Sequence, residues 1–378
     1  MKTMVLLLAA LATATFTLKD VSDTHLPVAD LARNSMDVVA VDLDKDGDKD
    51  LVIACEFCPN SILINDGTGK FTNESAIRLP QKRHDSEDIA AEDFDGDGDI
   101  DLVFVSEDDK INEYYINNGT GHFSDASDRF PVQGVSNAVC AVDVDKDGDK
   151  DLVIGNDGQD VLLLNDGKGA WTDVTATHFV KDEDVTQDVK AFDADKDGDM
   201  DLVFGNEDAG KLYFNDGRGK FTTPANGSLP DVVATVETRK VEVEDVDKDG
   251  DGDLFFCNVK FKPGRSAQNL LLLNNGKGKF ADATADGYAG KNDYMSLDAQ
   301  FIDLTGDGWK DLVVANGFGA EMQYFENKKG RFVEMTNSSL PANKGLDVIS
   351  LLHFQDKKNQ QFLYLGVFRN KDKLFEIQ

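Results

Sequence analysis

The stretch Asp42-Leu43-Asp44-Lys45-Asp46-Gly47-Asp48-Lys49-Asp50 places a carboxylate at every odd position of a nine-residue loop and a glycine at position six. Hard oxygens at positions 1, 3, 5 and 9, a backbone carbonyl at position 7 and a glycine for the sharp turn are the donor set of a calcium loop. The pattern returns at residues 93–101 (Asp93, Asp95, Asp97, Asp99, Asp101) and 143–151 (Asp143, Asp145, Asp147, Asp149, Asp151). It returns again at 193–201 (Asp193, Asp195, Asp197, Asp199, Asp201) and 245–253 (Asp245, Asp247, Asp249, Asp251, Asp253). A sixth version at 303–311 reads Asp303, Thr305, Asp307, Trp309 and Asp311 at the odd positions, and its smaller acid count predicts weaker binding. The acids at position 7 are expected to lend only a carbonyl and to leave their side chains in water.

First aspartates follow one another at steps of 51, 50, 50, 52 and 58 residues. A constant period of this size marks a repeat architecture. One further step reaches His353, where Ile349 to Phe354 and Phe362 to Val367 keep the apolar flanks but the acids are gone, so residues 345–378 form a degenerate seventh repeat. In that loop Lys357 is expected to supply the cation that a metal supplies elsewhere.

Each repeat carries short β-branched runs on both sides of its loop, such as Val38 to Val41 and Leu51 to Ile53, then a third run, Ile62 to Ile64. Asn65-Asp66-Gly67-Thr68-Gly69 and Phe71 follow, a tight hairpin into a fourth strand, because asparagine and glycine accept positive φ. Four antiparallel strands per unit of about fifty residues describe a propeller blade. The expected fold is therefore all-β, a seven-bladed propeller closed by the N-terminal strand, Phe16 to Ser22, joining the three strands of the last repeat.

Lys2, the apolar run Met4 to Ala12 and Ala12-Thr13-Ala14 form a secretory-signal pattern, so residues 1–14 are expected to be removed and 15–378 to be one secreted domain. No later stretch is long enough to span a membrane as a helix. The balance of 39 Lys and Arg against 71 Asp and Glu gives net charge −32, which argues against nucleic-acid partners. Cys55 and Cys58 have no second metal-type pair and are expected to form a local disulfide or to stay free; Cys140 and Cys257 fall in strands as inert thiols. Zinc is disfavoured because no loop holds histidine or cysteine, and magnesium because it dehydrates reluctantly. About six structural Ca2+ ions are expected. Asn73, Asn118, Asn226 and Asn337 begin Asn-x-Ser/Thr sequences that would matter in a eukaryotic secretory route.

The run Asp93-Phe94-Asp95-Gly96-Asp97-Gly98-Asp99, then Asp101-Leu102-Val103, with the Asn-Asp-Gly-x-Gly-x-Phe turn, resembles the FG-GAP/VCBS repeat proteins, whose propellers are similar to the head of integrin α subunits. The resemblance implies a calcium-stabilised propeller used for binding, with metal loops on the lower face and ligands on the upper.

The long fifth step comes from residues 258–269, which bring Lys260, Phe261, Lys262 and Arg265 to the upper side, near Arg239 and Lys240. This basic, aromatic insertion is the candidate contact for an extracellular glycan, an acidic one above all, or for a protein partner. Asp37, Asp88, Asp188 and Asp298 are expected to ring the channel mouth, as solvated acids or as a further cation site. No catalytic set is evident, so a non-catalytic recognition or adhesion module is expected. The rival reading is a polysaccharide lyase or other carbohydrate-active enzyme using His84-Asp85 as a proton-abstracting pair.

Overall fold

A computed structural model describes residues 16–27, 32–224, 227–288, 294–335, 340 and 345–378. The expected signal segment and the sequences at Asn226 and Asn337 lie outside these residues. The first repeat folds as Ala32–Val41, Asp50–Cys58, Ser61–Asn65 and Phe71–Asn73, each strand antiparallel to the next. The second repeats the order with His84–Glu92, Asp101–Ser106, Glu113–Asn117 and Phe123–Asp125. The third to sixth repeats form separate four-stranded sheets. The last repeat contributes Asp347–Gln355, Gln361–Lys371 and Lys373–Ile377, and Leu18–Asp20 pairs antiparallel with the outermost of these.

The N-terminal strand is shorter than the sequence suggests. Asp20 Oδ1 accepts the Ser22 amide and starts a single helical turn, Ser22–His25. The same Asx turn follows the fourth strand elsewhere: Asn73 accepts the Ser75 amide and hydroxyl, Asp125 those of Ser127, and Asp173 the Thr175 amide. The hydroxyls at positions 75, 127 and 175 then accept the second amide of the third strand, from Ile62, Tyr114 and Leu162. Asn73-Glu74-Ser75 is thus one copy of a turn that recurs in several repeats.

Twelve strands are joined into one sheet by two extra pairings. Asp50–Cys58 runs past its counterparts, so that Glu56 faces Asp85 and Cys58 faces His84; Ala32 to Asn34 pair with Phe368 to Lys371. Apolar packing lies between neighbouring repeats. Val52, Ala54 and Ile62 of the first meet Leu102, Phe104 and Tyr115 of the second, and Leu51, Ile53 and Leu63 meet Phe354, Phe362 and Tyr364 of the last. Phe16 packs edge-on to Tyr324 of the sixth repeat, with centroids 5.0 Å apart. Burying such side chains stabilises by about 1.5–3 kcal/mol each, so the inter-repeat layers hold the fold. Among the described residues no helix is long and apolar enough to cross a membrane.

Candidate metal loops and axial cavity

Each loop links the first and second strands of its repeat. Position six is left-handed, as at Gly47 (φ 89°) and Gly148 (φ 99°), which costs a glycine little. The bend lets its amide donate to the first aspartate, Gly47 to Asp42 Oδ2 at 3.1 Å and Gly98 to Asp93 Oδ2 at 2.9 Å. Position nine is buried and held by two amides: Asp50 accepts from Leu43 and Asn65, Asp101 from Phe94 and Asn117, Asp151 from Val144 and Asn165. Burial outweighs those bonds and pushes Asp50, Asp101, Asp151, Asp201 and Asp253 up to about 7, and Asp311 up to about 6.

Positions 1, 3 and 9 converge. Asp42, Asp44 and Asp50 offer oxygens within 4.8 Å of one another, as do Asp93, Asp95 and Asp101, and Asp143, Asp145 and Asp151; in the fourth loop the set is Asp193, Asp195 and Asp197. Asp42 Oδ1 and Asp44 Oδ1 are buried without a hydrogen-bond partner. Unpaired buried carboxylate oxygens in a set made only of oxygen donors fit a hard divalent cation, calcium before magnesium, with positions 1, 3, 5 and 9 and the carbonyl of 7 to hold it.

Position seven departs from expectation. Asp48, Asp99, Asp199 and Asp251 are buried, and each takes a lysine from the preceding repeat: Lys357, Lys45, Lys146 and Lys196 respectively. A buried carboxylate needs such a partner, so these side chains tie loops together and do not face water. Lys357 therefore does not fill its own loop; its Nζ lies 2.7 Å from Asp48 Oδ2 of the first repeat. Lys45, Lys146 and Lys196 sit at position four with φ near 62–64°, a strained choice that their reach to the next loop offsets. Gly96 takes that position in the second loop, where a Cβ would meet Gly167 O at 2.7 Å, and among the described residues Asp149 accordingly has no lysine partner. Where Trp309 replaces the aspartate, Lys248 lies over its ring at 4.5 Å.

The hairpin asparagines also do more than turn the chain. Asn117 Nδ2 donates to Leu43 O, Asn215 Nδ2 to Val144 O and Asn327 Nδ2 to Val246 O, each a carbonyl in the preceding repeat's loop.

At the opposite ends of the first strands lies a cavity of about 580 Å³. Met36, Asp37, Glu87, Asp88, Asn137, Gln187, Arg239, Lys240, Leu297, Asp298 and Asp347 line it from successive first strands, Glu56, Phe368 and Arg369 from the second strands of the first and last repeats, and Glu107, Phe261 and Phe318 from neighbouring loops. The recurring acids prove structural in part: Asp88 accepts the Val139 amide, Asp188 that of Val241 and Asp298 that of Leu351, each in the next repeat. The cation they meet is a lysine. Desolvation opposes the Lys240 ammonium, yet Asp188, Asp88, Asp37 and Asp298 together hold its pKa well above the usual lysine value.

The basic insertion is divided. Arg239, Lys240 and Phe261 reach the cavity, with Arg239 over the Phe261 ring at 5.0 Å and Phe261 edge-on to Phe318 at 5.5 Å. Lys262 instead pairs with Glu207 and Asp208, Arg265 with Asp208, and Lys260 is exposed on the surface. His84 and Asp85 have separate partners. Successive strand residues point to opposite faces, and His84 Nδ1 faces Asp109 while Asp85 Oδ2 accepts the Asp108 amide. Cys55 and Cys58 are joined in a disulfide; Cys257 is buried and Cys140 half-buried, both free.

Sequence reasoning missed Phe318, Phe368, Arg369 and Glu56, which only the meeting of distant repeats brings to one cavity. It also missed Ser35, Ser86, Ser136, Thr186, Thr238 and Ser296. These precede the loops by seven residues, and Ser86, Ser136 and Ser296 accept across repeats from Asn60, Asn112 and Asn269 Nδ2; that constant offset was the available signal.

A family model described as FG-GAP-like repeat matches residues 42–104, 93–154, 143–204, 193–256 and 245–314, windows that start on the aspartate loops. The chain belongs to the FG-GAP repeat family. Its propeller-like fold is shared with BBS1N, solved in complex with ARL6DN (15% identity, TM-score 0.59, 96% of this chain and 98% of that one). YCF48 bound to D1 peptide is similar at 10% identity and TM-score 0.55, over 92% and 93% of the two chains. The extracellular domain of BT4673 from B. thetaiotaomicron matches at 11% identity and TM-score 0.55, over 95% of this FG-GAP repeat chain but 39% of that chain. Comparison with curated proteins yields no match.

Proposed function

We propose that this FG-GAP repeat chain is a secreted, calcium-loaded ring of seven blades, closed by its N-terminal strand, that serves as a non-catalytic recognition module for a glycan. Closure is supported by the first strands, each of which touches the next around to Asp347–Gln355 against Ala32–Val41, and by the Lys357 to Asp48 pair, which repeats the Lys45 to Asp99 contact. Calcium is supported by the converging, partly unpaired acids of the loops.

The cavity carries the functional reading. Aromatic faces at Phe261, Phe318 and Phe368 beside Asn137, Gln187 and charged groups form the mixed lining that holds a sugar ring and its hydroxyls. Lys262 and Arg265 are committed to Glu207 and Asp208, and acids outnumber bases in the lining, so the ligand expected is neutral or amine-bearing rather than acidic. Exposed Phe261 and Phe318 at the cavity favour a peptide as the second reading, a ligand type that YCF48 takes on a similar fold. His84 turned toward Asp109 supports a binding role over lyase chemistry.

A glycan array in 1 mM calcium, with Phe261→Ala/Phe318→Ala as control, tests this. Retention of neutral glycans by the parent and at least tenfold weaker retention by the variant is expected. Binding confined to acidic glycans, equal binding by the variant, or release of unsaturated sugars would overturn it.

A further inference from the structure

We propose that Asp85, Glu87 and Glu107, with Glu56 beside them, form a divalent-cation site on the wall of the axial cavity, separate from the aspartate loops. The first three offer carboxylate oxygens within 4.8 Å of one another. Glu56 is the direct cross-strand partner of Asp85, an arrangement in which like charges repel. The extended strand Asp50–Cys58 creates this meeting, and the Cys55–Cys58 disulfide, with Phe57 at φ 57° between them, fixes it.

A second observation points to a ligand. Asp85 is 2% exposed, its Oδ2 accepts the Asp108 amide, and its Oδ1 is buried with no hydrogen-bond partner. Glu56 Oε2 is likewise buried and unpaired. Nearby cations are engaged elsewhere: Arg239 with Glu207 and Glu237, Arg369 over Phe368, and His84 with Asp109 and Glu113. Burial foremost, with repulsion from neighbouring carboxylates, raises Asp85, Glu56 and Glu107 above their ordinary values and Glu87 well above its own, and the attraction of Arg239 and Arg369 offsets only part of this.

Oxygen-only donors select a hard ion such as Ca2+ or Mn2+ over zinc. Glu56, Glu87 and Glu107 line the cavity, so an ion among them would keep open positions toward a cavity ligand.

The test is anomalous diffraction from crystals of the full chain in Mn2+, with Glu87→Gln/Glu107→Gln alongside, and equilibrium dialysis of both proteins against radioactive calcium. A peak bounded by Asp85, Glu87 and Glu107 that vanishes in the variant, with one ion fewer per chain and unchanged loop peaks, is expected. Manganese in the loops but none at the cluster, or equal ion counts in the two proteins, would overturn the site. Vacant loops beside an occupied cluster would instead count against the calcium-loop reading alone. Should the double variant misfold, Glu107→Gln alone must still weaken the last ion at least tenfold.

Discussion

Asp160 offers a quantitative check on how the repeats are stitched together. It is 1% exposed, and its Oδ1 accepts the Asn156 amide at 2.9 Å. Equivalent places in other repeats hold Asn60, Asn112 and Asn269, which accept the same amide and donate Nδ2 to Ser86, Ser136 and Ser296 Oγ at 2.8–3.1 Å. The hydroxyl facing Asp160 is Thr186, whose proton goes to Asn206 Oδ1 at 3.1 Å. A carboxylate therefore meets a lone pair where an amide would donate. Burial, only partly offset by the Asn156 amide, pushes Asp160 up to about 7 from 3.8.

The sign follows from proton counting. Between those values the folded chain keeps a proton that the unfolded chain releases, so stability falls as pH rises and levels off above about 7. The full difference corresponds to about 4 kcal/mol. Asp160→Asn keeps the accepted bond, restores the donor and removes the titration. Denaturant melts in fixed calcium should find the variant close to the parent near pH 4 and more stable by up to about 4 kcal/mol at pH 8.5. A gap that stays flat across that range, or a variant less stable at pH 8.5, would refute the reasoning.

Excess EDTA should lower the melting temperature by about 15 °C, since six ions with Kd of about 0.1 mM in about 1 mM calcium contribute roughly 8 kcal/mol; an unchanged melt counts against the metal loops. Asn117→Ala removes bonds to Leu43 O and Ile100 O and from the Gly119 and Gly121 amides, and should cost about 3 kcal/mol in denaturant melts. The exposed neighbour variant Asn118→Ala should change stability by no more than about 0.5 kcal/mol.

The aspartate loops, the repeat period and the four-strand unit were legible in the chain because their determinants are local: a glycine at a bend, acids at fixed offsets, alternating burial along short strands. Leu18–Asp20 was found from spacing for the same reason, although its early end depended on the Asx turn at Asp20. Position seven was misread because burial of Asp48 or Asp99 depends on the adjoining repeat's lysine, which lies about fifty residues, or nearly the whole chain, away. His84 and Asp85 looked like a pair in sequence, but strand geometry sends them to opposite faces. The sequence by itself determined the repeating unit and its acidic donors. Only the tertiary structure decided which charges neutralise one another, because that depends on distances between side chains that separate repeats bring together.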